Sequence, residues 1–228
     1  MQIQLVVLDM AGTTVQDDDI VNAALRDALG SGGVAVSREE ANVYMGIAKP
    51  VAIRSLLESK GETSTPERVN TLHEDFLARM LAYYRTHPGV REIKGASATF
   101  RLLKAAGISI ALDTGFSRPI ADAILERLGW MREGLVDASV TSDEVARGRP
   151  YPDLIFRAME QIGVTDVSSV AKVGDTPSDL QEGHAAGCGY VIGVTEGTHT
   201  RAQLEPYPHT HLIASVADLP ALLLDGRQ

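Results

Sequence analysis

Two hydrophobic rhythms alternate along the chain. Short runs rich in branched aliphatic residues predict strands at 3–9, 108–114, 136–140, 170–174, 190–194 and 211–214. Between them the apolar positions recur at helical spacing: Ile120, Ile124 and Leu128 fall on one face, as do Leu154, Ala158 and Ile162. Gly107, Gly129 and Gly163 stand where C-terminal helix caps belong. Strand and helix in repeated alternation predict an α/β fold, a Rossmann-like parallel sheet covered on both faces. Ligands of such sheets bind beyond the carboxyl ends of the strands.

One region departs from this alternation. Residues 17–87 hold no strand-like run. Val21, Leu25 and Ala28 form a helical stripe that ends near Gly30, Ser37 and Glu40 have capping-box spacing, and Thr65-Pro66-Glu67 opens a helix with Val69, Leu72, Phe76 and Met80 along one face. The expected organisation is an α/β core of residues 1–16 and 88–228, with a helical cap inserted at 17–87 after the first strand. Asp17-Asp18-Asp19 and His87-Pro88-Gly89 are the expected hinges. A cap at that place would lie over the carboxyl end of the sheet and exclude water.

Composition narrows the partners. Of the 228 residues 44% are hydrophobic and 22% charged, ordinary for a globular protein, and the net charge of −9 comes without a lysine or arginine block. Nucleic acid is therefore not the expected partner. No apolar run reaches the roughly 20 residues of a membrane span. The single cysteine, Cys188, fits a cytoplasmic setting and reads as a small residue in a turn. The histidines His184, His199, His209 and His211 form no metal-binding pattern, and Trp130 and the tyrosines are too scattered for a base-stacking platform.

Four strand ends carry candidate chemistry. The first strand runs into Asp9-Met10-Ala11-Gly12-Thr13-Thr14, where Asp9 reads equally as a nucleophile or as a turn cap. The fourth reads Gly174-Asp175-Thr176-Pro177-Ser178-Asp179; two carboxylates from neighbouring strand ends suit a hard cation such as Mg²⁺, while Asp179 also suits helix capping. Leu112-Asp113-Thr114-Gly115 offers a hydroxyl and backbone N–H groups to phosphoryl oxygens, and Arg147-Gly148-Arg149-Pro150 offers a fixed cation.

In this order the four segments resemble the motifs of the haloacid dehalogenase-like hydrolase superfamily. That resemblance implies that Asp9 forms an aspartyl-phosphate, that Asp9, Asp175 and the backbone carbonyl of Ala11 bind Mg²⁺, that Thr114 and Arg149 hold the phosphoryl group, and that Asp179 orients the third-motif cation or a metal-bound water. Position 11, where phosphatases of this kind keep a general acid, holds alanine. Alanine there, with an arginine as the third-motif cation, resembles the phosphonoacetaldehyde hydrolase, or phosphonatase, branch. In that branch a cap lysine forms an imine with the substrate aldehyde, and a departing enamine carbon needs no aspartic acid to protonate it.

Tyr44-Met45-Gly46-Ile47-Ala48-Lys49 resembles the lysine segment of that branch, and Lys49 matches its lysine. Lys49 reads as an imine-forming amine, as a cation gripping a substrate anion, or as a solvated side chain. Gly46, Lys49, Thr114, Gly115 and Arg149 are the expected substrate contacts. Two positions depart from the branch: Ala52 replaces a histidine and Phe116 a tyrosine. Arg54 is a further candidate cation. The resemblance also implies a dimer through the cap. The leading expectation is C–P cleavage of a small phosphonate bearing an aldehyde. The alternatives are a phosphomonoesterase acting on a small metabolite such as phosphoglycolate or a sugar phosphate, and a binding module without turnover, against which the intact Asp9, Thr114, Arg149 and Asp175 argue.

Overall fold

A computed structural model describes residues 2–224. Six strands, β1 (Leu5–Asp9), β2 (Ser109–Thr114), β3 (Ala138–Thr141), β4 (Val170–Gly174), β5 (Tyr190–Val194) and β6 (His211–Ile213), form one sheet in the order β3-β2-β1-β4-β5-β6. Every neighbouring pair is parallel. Each expected strand is present, shifted by at most two residues at its ends. The inner strands β1 and β4 are buried along their whole length, which is why they read as continuous apolar runs.

Register carries the strand ends to one level. Asp9 of β1 pairs with Asp113 of β2, and Leu8 pairs with Val173 of β4, so Asp175 lies just beyond the same edge. The connecting helices are α5 (Ala96–Ala105), α6 (Arg118–Leu128), α7 (Asp153–Ile162) and α8 (Pro177–Ala186), followed by the short α9 (Arg201–Leu204) and α10 (Leu219–Leu224). Gly129 and Gly163 end α6 and α7 in the left-handed region, where a missing Cβ removes the steric penalty.

Between β1 and α5 the chain folds as four consecutive helices: α1 (Ile20–Ser31), α2 (Arg38–Asn42), α3 (Lys49–Ser59) and α4 (Pro66–Thr86). Ser37 and Glu40 form the expected capping box, and Thr65 caps α4 with Pro66 in its first turn. The buried stripe Val69, Leu72, Phe76, Met80 and Tyr84 of α4 joins Leu25 and Leu29 of α1 and Ile53, Leu56 and Leu57 of α3. This apolar cluster continues into the core face formed by Val6, Ile110 and Ile124. Trp130 belongs to that core, edge-to-face with Phe100 at 5.2 Å. Among the described residues no helix is long and apolar enough to cross a membrane.

Candidate active site

The edge formed by β1, β2 and β4 meets the loop before α3 in a cavity of about 30 Å³. Its walls include Asp9, Ala11, Asp17, Gly46, Lys49, Thr114, Gly115 and Phe116. Such a volume holds about one water molecule.

Contact across the cavity mouth is close because both sides use glycine. Gly46 has φ +82°, and a Cβ there would overlap the hydroxyls of Thr176 and Ser178. A Cβ on Gly115 would come within 2.7 Å of the carbonyl oxygens of Gly46 and Ile47. Gly12, at φ +92°, leaves the room that the Asp175 carboxylate fills.

Arg149 is the hub of the polar structure. Its side chain is fully buried; Nη1 donates to Asp9 Oδ1 at 2.6 Å and to the Gly46 carbonyl at 3.2 Å, Nη2 donates to Asp113 Oδ1 at 2.5 Å, and Nε donates to Glu182 Oε2 at 2.9 Å. Asp179 Oδ1 lies 3.0 Å from Arg149 Nη1 and 3.2 Å from Lys172 Nζ. Lys172, from the middle of β4, also pairs with Asp113 and, at 3.1 Å, with Glu182. Asp113, Lys172 and Glu182 carry no assigned role in the sequence reading. The signal for Lys172 was available: a lysine inside a buried parallel strand requires carboxylate partners.

The network has more carboxylates than cations. Asp9, Asp113, Asp179 and Glu182 face Arg149 and Lys172. Burial pushes Asp9 well above the carboxylate range despite Arg149, with Asp179 and Asp175 adding to the rise. Burial raises Glu182 too, whereas for Asp113 the neighbouring Arg149 and Lys172 outweigh burial and hold it down to about 2. Asp175 accepts from Thr13 Oγ1 at 2.9 Å and from Thr198 N–H at 2.6 Å, and burial followed by Asp179 still pushes it up to about 6. Carboxylate oxygens of Asp9, Asp175 and Asp179 all lie within 4.8 Å of one another. That donor set, with uncompensated negative charge, fits a hard divalent cation.

Lys49 opens α3 and is 3% exposed, which excludes the solvated reading. Its Nζ donates to the Ile47 carbonyl at 3.2 Å and lies 5.9 Å from the Phe76 ring centre and 5.8 Å from that of Phe116. Among the described residues it forms no salt bridge. Burial, helped by Arg149, lowers it to about 8 against the opposing pull of Asp9 and Asp17. A buried amine with this proton affinity is partly neutral near neutral pH and therefore nucleophilic.

The remaining candidates separate clearly. Thr114 is 3% exposed, lines the cavity, and its Oγ1 accepts from the Phe116 N–H at 3.1 Å. Asp179 does cap α8, accepting from Thr176, while also facing both cations. Arg147 is exposed and pairs with Asp153 at 3.2 Å, so only Arg149 of its segment enters the site. Arg54 is exposed on α3 and supplies no second cation there. Cys188 is half-buried, and burial pushes its thiol up to about 12, in keeping with the turn reading. His184 is exposed; His199 is buried, with Nε2 3.4 Å from Asn42 Nδ2. Asp17, expected only as a hinge, is a wall of the cavity.

Comparison with known proteins gives the family. A family model described as haloacid dehalogenase-like hydrolase matches residues 3–187. A phosphonoacetaldehyde hydrolase of Lysinibacillus sphaericus is 33% identical over 217 residues, covering 86% of this chain and 77% of its own. One from Bordetella pertussis is 30% identical, covering 99% and 92%. The crystal structure of a phosphonoacetaldehyde hydrolase-like protein from Oleispira antarctica superposes with a TM-score of 0.87 at 24% identity, covering 99% of this chain and 92% of that one.

Proposed function

The chain belongs to the haloacid dehalogenase-like hydrolases, and within that family we propose that it cleaves the C–P bond of a small phosphonate bearing an aldehyde, such as phosphonoacetaldehyde. One observation carries this reading: the buried Lys49, without an ion-pair partner among the described residues, shares a cavity with Asp9 and Ala11. The relatives named phosphonoacetaldehyde hydrolase support it.

In this reading residues 17–87 act as a cap over a core of residues 1–16 and 88–228. The cap opens to admit substrate, then seats Gly46 against Thr176 and Ser178. The neutral Lys49 amine attacks the aldehyde carbon and forms an imine. Asp9 attacks phosphorus in line, and the electron pair of the breaking C–P bond flows into the iminium to give an enamine. Asp9 is left as an aspartyl-phosphate, which water hydrolyses. Arg149, anchored by Asp113 and Glu182, holds the phosphoryl oxygens with Thr114 and the Gly115 backbone. Asp179 keeps the guanidinium in place. Asp9, Asp175 and the Ala11 carbonyl would hold Mg²⁺, which when bound neutralises the carboxylates and polarises the phosphoryl oxygens.

The test is a borohydride trap. With phosphonoacetaldehyde and borohydride, the wild type should gain a reduced adduct on Lys49, and Lys49→Arg should lose both the adduct and phosphate release. No adduct, with activity retained in Lys49→Arg, would overturn the proposal. The rival ester hydrolysis is favoured by the apolar Ala52 and Phe116 beside the lysine. It would show as phosphate release from esters alone.

A further inference from the structure

Imine chemistry at Lys49 needs a group that moves protons, and the surroundings of the amine restrict which group that is. Ala52 and Phe116 are buried and apolar, and Phe76 closes the side toward α4. Among the described residues that line the cavity, the titratable ones are Asp9, Lys49 and Asp17. Asp9 is held by Arg149 and is committed to phosphorus. Asp17 remains.

The backbone around Asp17 is built to keep it there. Asp18 and Asp19, next along the chain, have φ +30° and +66°, a left-handed conformation that non-glycine residues seldom adopt. Arg91 holds Asp18 at 3.1 Å and Arg38 holds Asp19 at 2.9 Å. Such local strain, fixed by outside contacts, marks functional segments. Two of three consecutive acids thus pair with arginines, while the half-buried third lines the cavity. The one hydrogen bond that the Asp17 carboxylate accepts among the described residues comes from Val21 N–H at 3.0 Å.

We propose that Asp17 is the acid–base catalyst for imine formation and release at Lys49, a role that rests on the imine reading above. The steps balance as follows. Neutral Lys49 adds to the aldehyde carbon to form a carbinolamine after proton transfer from nitrogen to oxygen. Protonated Asp17 gives its proton to the hydroxyl, which leaves as water, and an iminium stands beside the Asp17 carboxylate. After the C–P bond breaks, the enamine carbon takes a proton from solvent and the iminium is restored. Water adds to it, Asp17 accepts the proton released, and collapse of the carbinolamine returns neutral Lys49, protonated Asp17 and the product aldehyde.

The free enzyme therefore works with one proton on the pair. Lys49 on α3, Asp175 after β4, Asp19 on the linker, and Tyr83 and Tyr84 on α4 face Asp17; Asp9, Arg149 and His73 of α4 face Lys49. Burial, reinforced by Asp175 and Asp19, pushes Asp17 up to about 7, close to the value of about 8 for Lys49. Imine formation should peak between those values, falling on the acid side as both groups hold protons and on the alkaline side as both lose them.

The experiment follows Lys49 adduct formation with phosphonoacetaldehyde and borohydride across pH in wild type, Asp17→Asn and Asp17→Glu. Beryllium fluoride with Mg²⁺ is the parallel probe of Asp9. Asp17→Asn should form adduct on the order of 10²-fold more slowly and lose the alkaline fall. Beryllofluoride binding should be unchanged, and Asp17→Glu should recover part of the rate. Adduct formation by Asp17→Asn at the wild-type rate and pH dependence would overturn the role of Asp17 and leave the imine standing. Loss of adduct and of beryllofluoride binding together would show a structural role and overturn it as well. Absence of adduct in the wild type would remove the imine, and this inference with it.

Discussion

The amine of Lys49 faces the ring of Phe116 at 5.8 Å, and among the described residues no carboxylate pairs with it. An aromatic face stabilises a cation weakly compared with the hydration that burial removes. The site therefore favours the uncharged amine, unlike the fixed cations Arg149 and Lys172 a short distance away, which carboxylates hold well above their ordinary values. The cavity thus holds an amine that burial pushes toward its neutral form, while the buried Arg149 and Lys172 outside its lining keep their charge.

That contrast has a stability signature. Lys49 falls from 10.5 to about 8 on folding. Between those values the unfolded chain binds more protons, so stability rises with pH across that window. The gain is on the order of 3 kcal/mol at full burial. Urea unfolding of wild type and Lys49→Met at pH 7 and pH 10 should show a wild-type deficit, relative to the variant, that shrinks toward high pH. A constant difference would mean that Lys49 is not desolvated.

Gly46→Ala should uncouple the helical segment from the sheet edge. The new Cβ overlaps the Thr176 and Ser178 hydroxyls, and φ +82° is strained for alanine. The loop must lift, carrying away the carbonyl that Arg149 contacts at 3.2 Å. Stability should fall by about 1–3 kcal/mol, and kcat/KM for the phosphonate should drop at least tenfold. Thermal unfolding and steady-state kinetics on the same preparation check both.

Ala11→Asp should move the enzyme toward ester chemistry. Position 11 lines the cavity with Asp9 and Lys49. A carboxyl there supplies the missing proton donor for an alkoxide leaving group, about 10²-fold on a small phosphomonoester. The same charge favours the ammonium form of Lys49 and should slow phosphonate cleavage several-fold. Opposite changes in kcat/KM for the two substrates are the expected result; parallel changes would count against the lysine.

The sheet was legible because buried parallel strands write themselves as apolar runs, and the turn residues after them mark where ligands bind. Asp9, Thr114 and Asp175 could be read that way, each at the end of such a run. Asp17 could not: three acids in succession look like a solvated linker, and only the left-handed turn at Asp18 and Asp19 sends one of them inward. Glu182 was hidden differently. Its position in a polar stretch of α8 resembles surface, and the cations that draw it inside come from distant parts of the chain. Arg54 erred in the other direction, because one helical turn from Pro50 does not specify which face of α3 is covered.

Lys172 gives the most direct test of the buried network. Its ammonium faces Asp113, Asp179 and Glu182, all fully buried, and shares them with Arg149. Lys172→Met removes one of two cations and leaves those carboxylates with Arg149 alone. Breaking a buried network from one side costs about 3–5 kcal/mol, because the orphaned charge stays desolvated. Glu182, already raised by burial, should then hold a proton more tightly in the folded state. A carboxyl whose folded affinity for protons exceeds its unfolded one gains stability as pH falls. The deficit of Lys172→Met against wild type should therefore narrow from pH 8 to pH 6 in urea titrations. Adding Glu182→Gln should recover part of it at pH 8, since the amide is neutral without the proton that Glu182 must take up on folding. A deficit that is the same at both pH values and in both backgrounds would mean that lost packing, not charge, sets the cost.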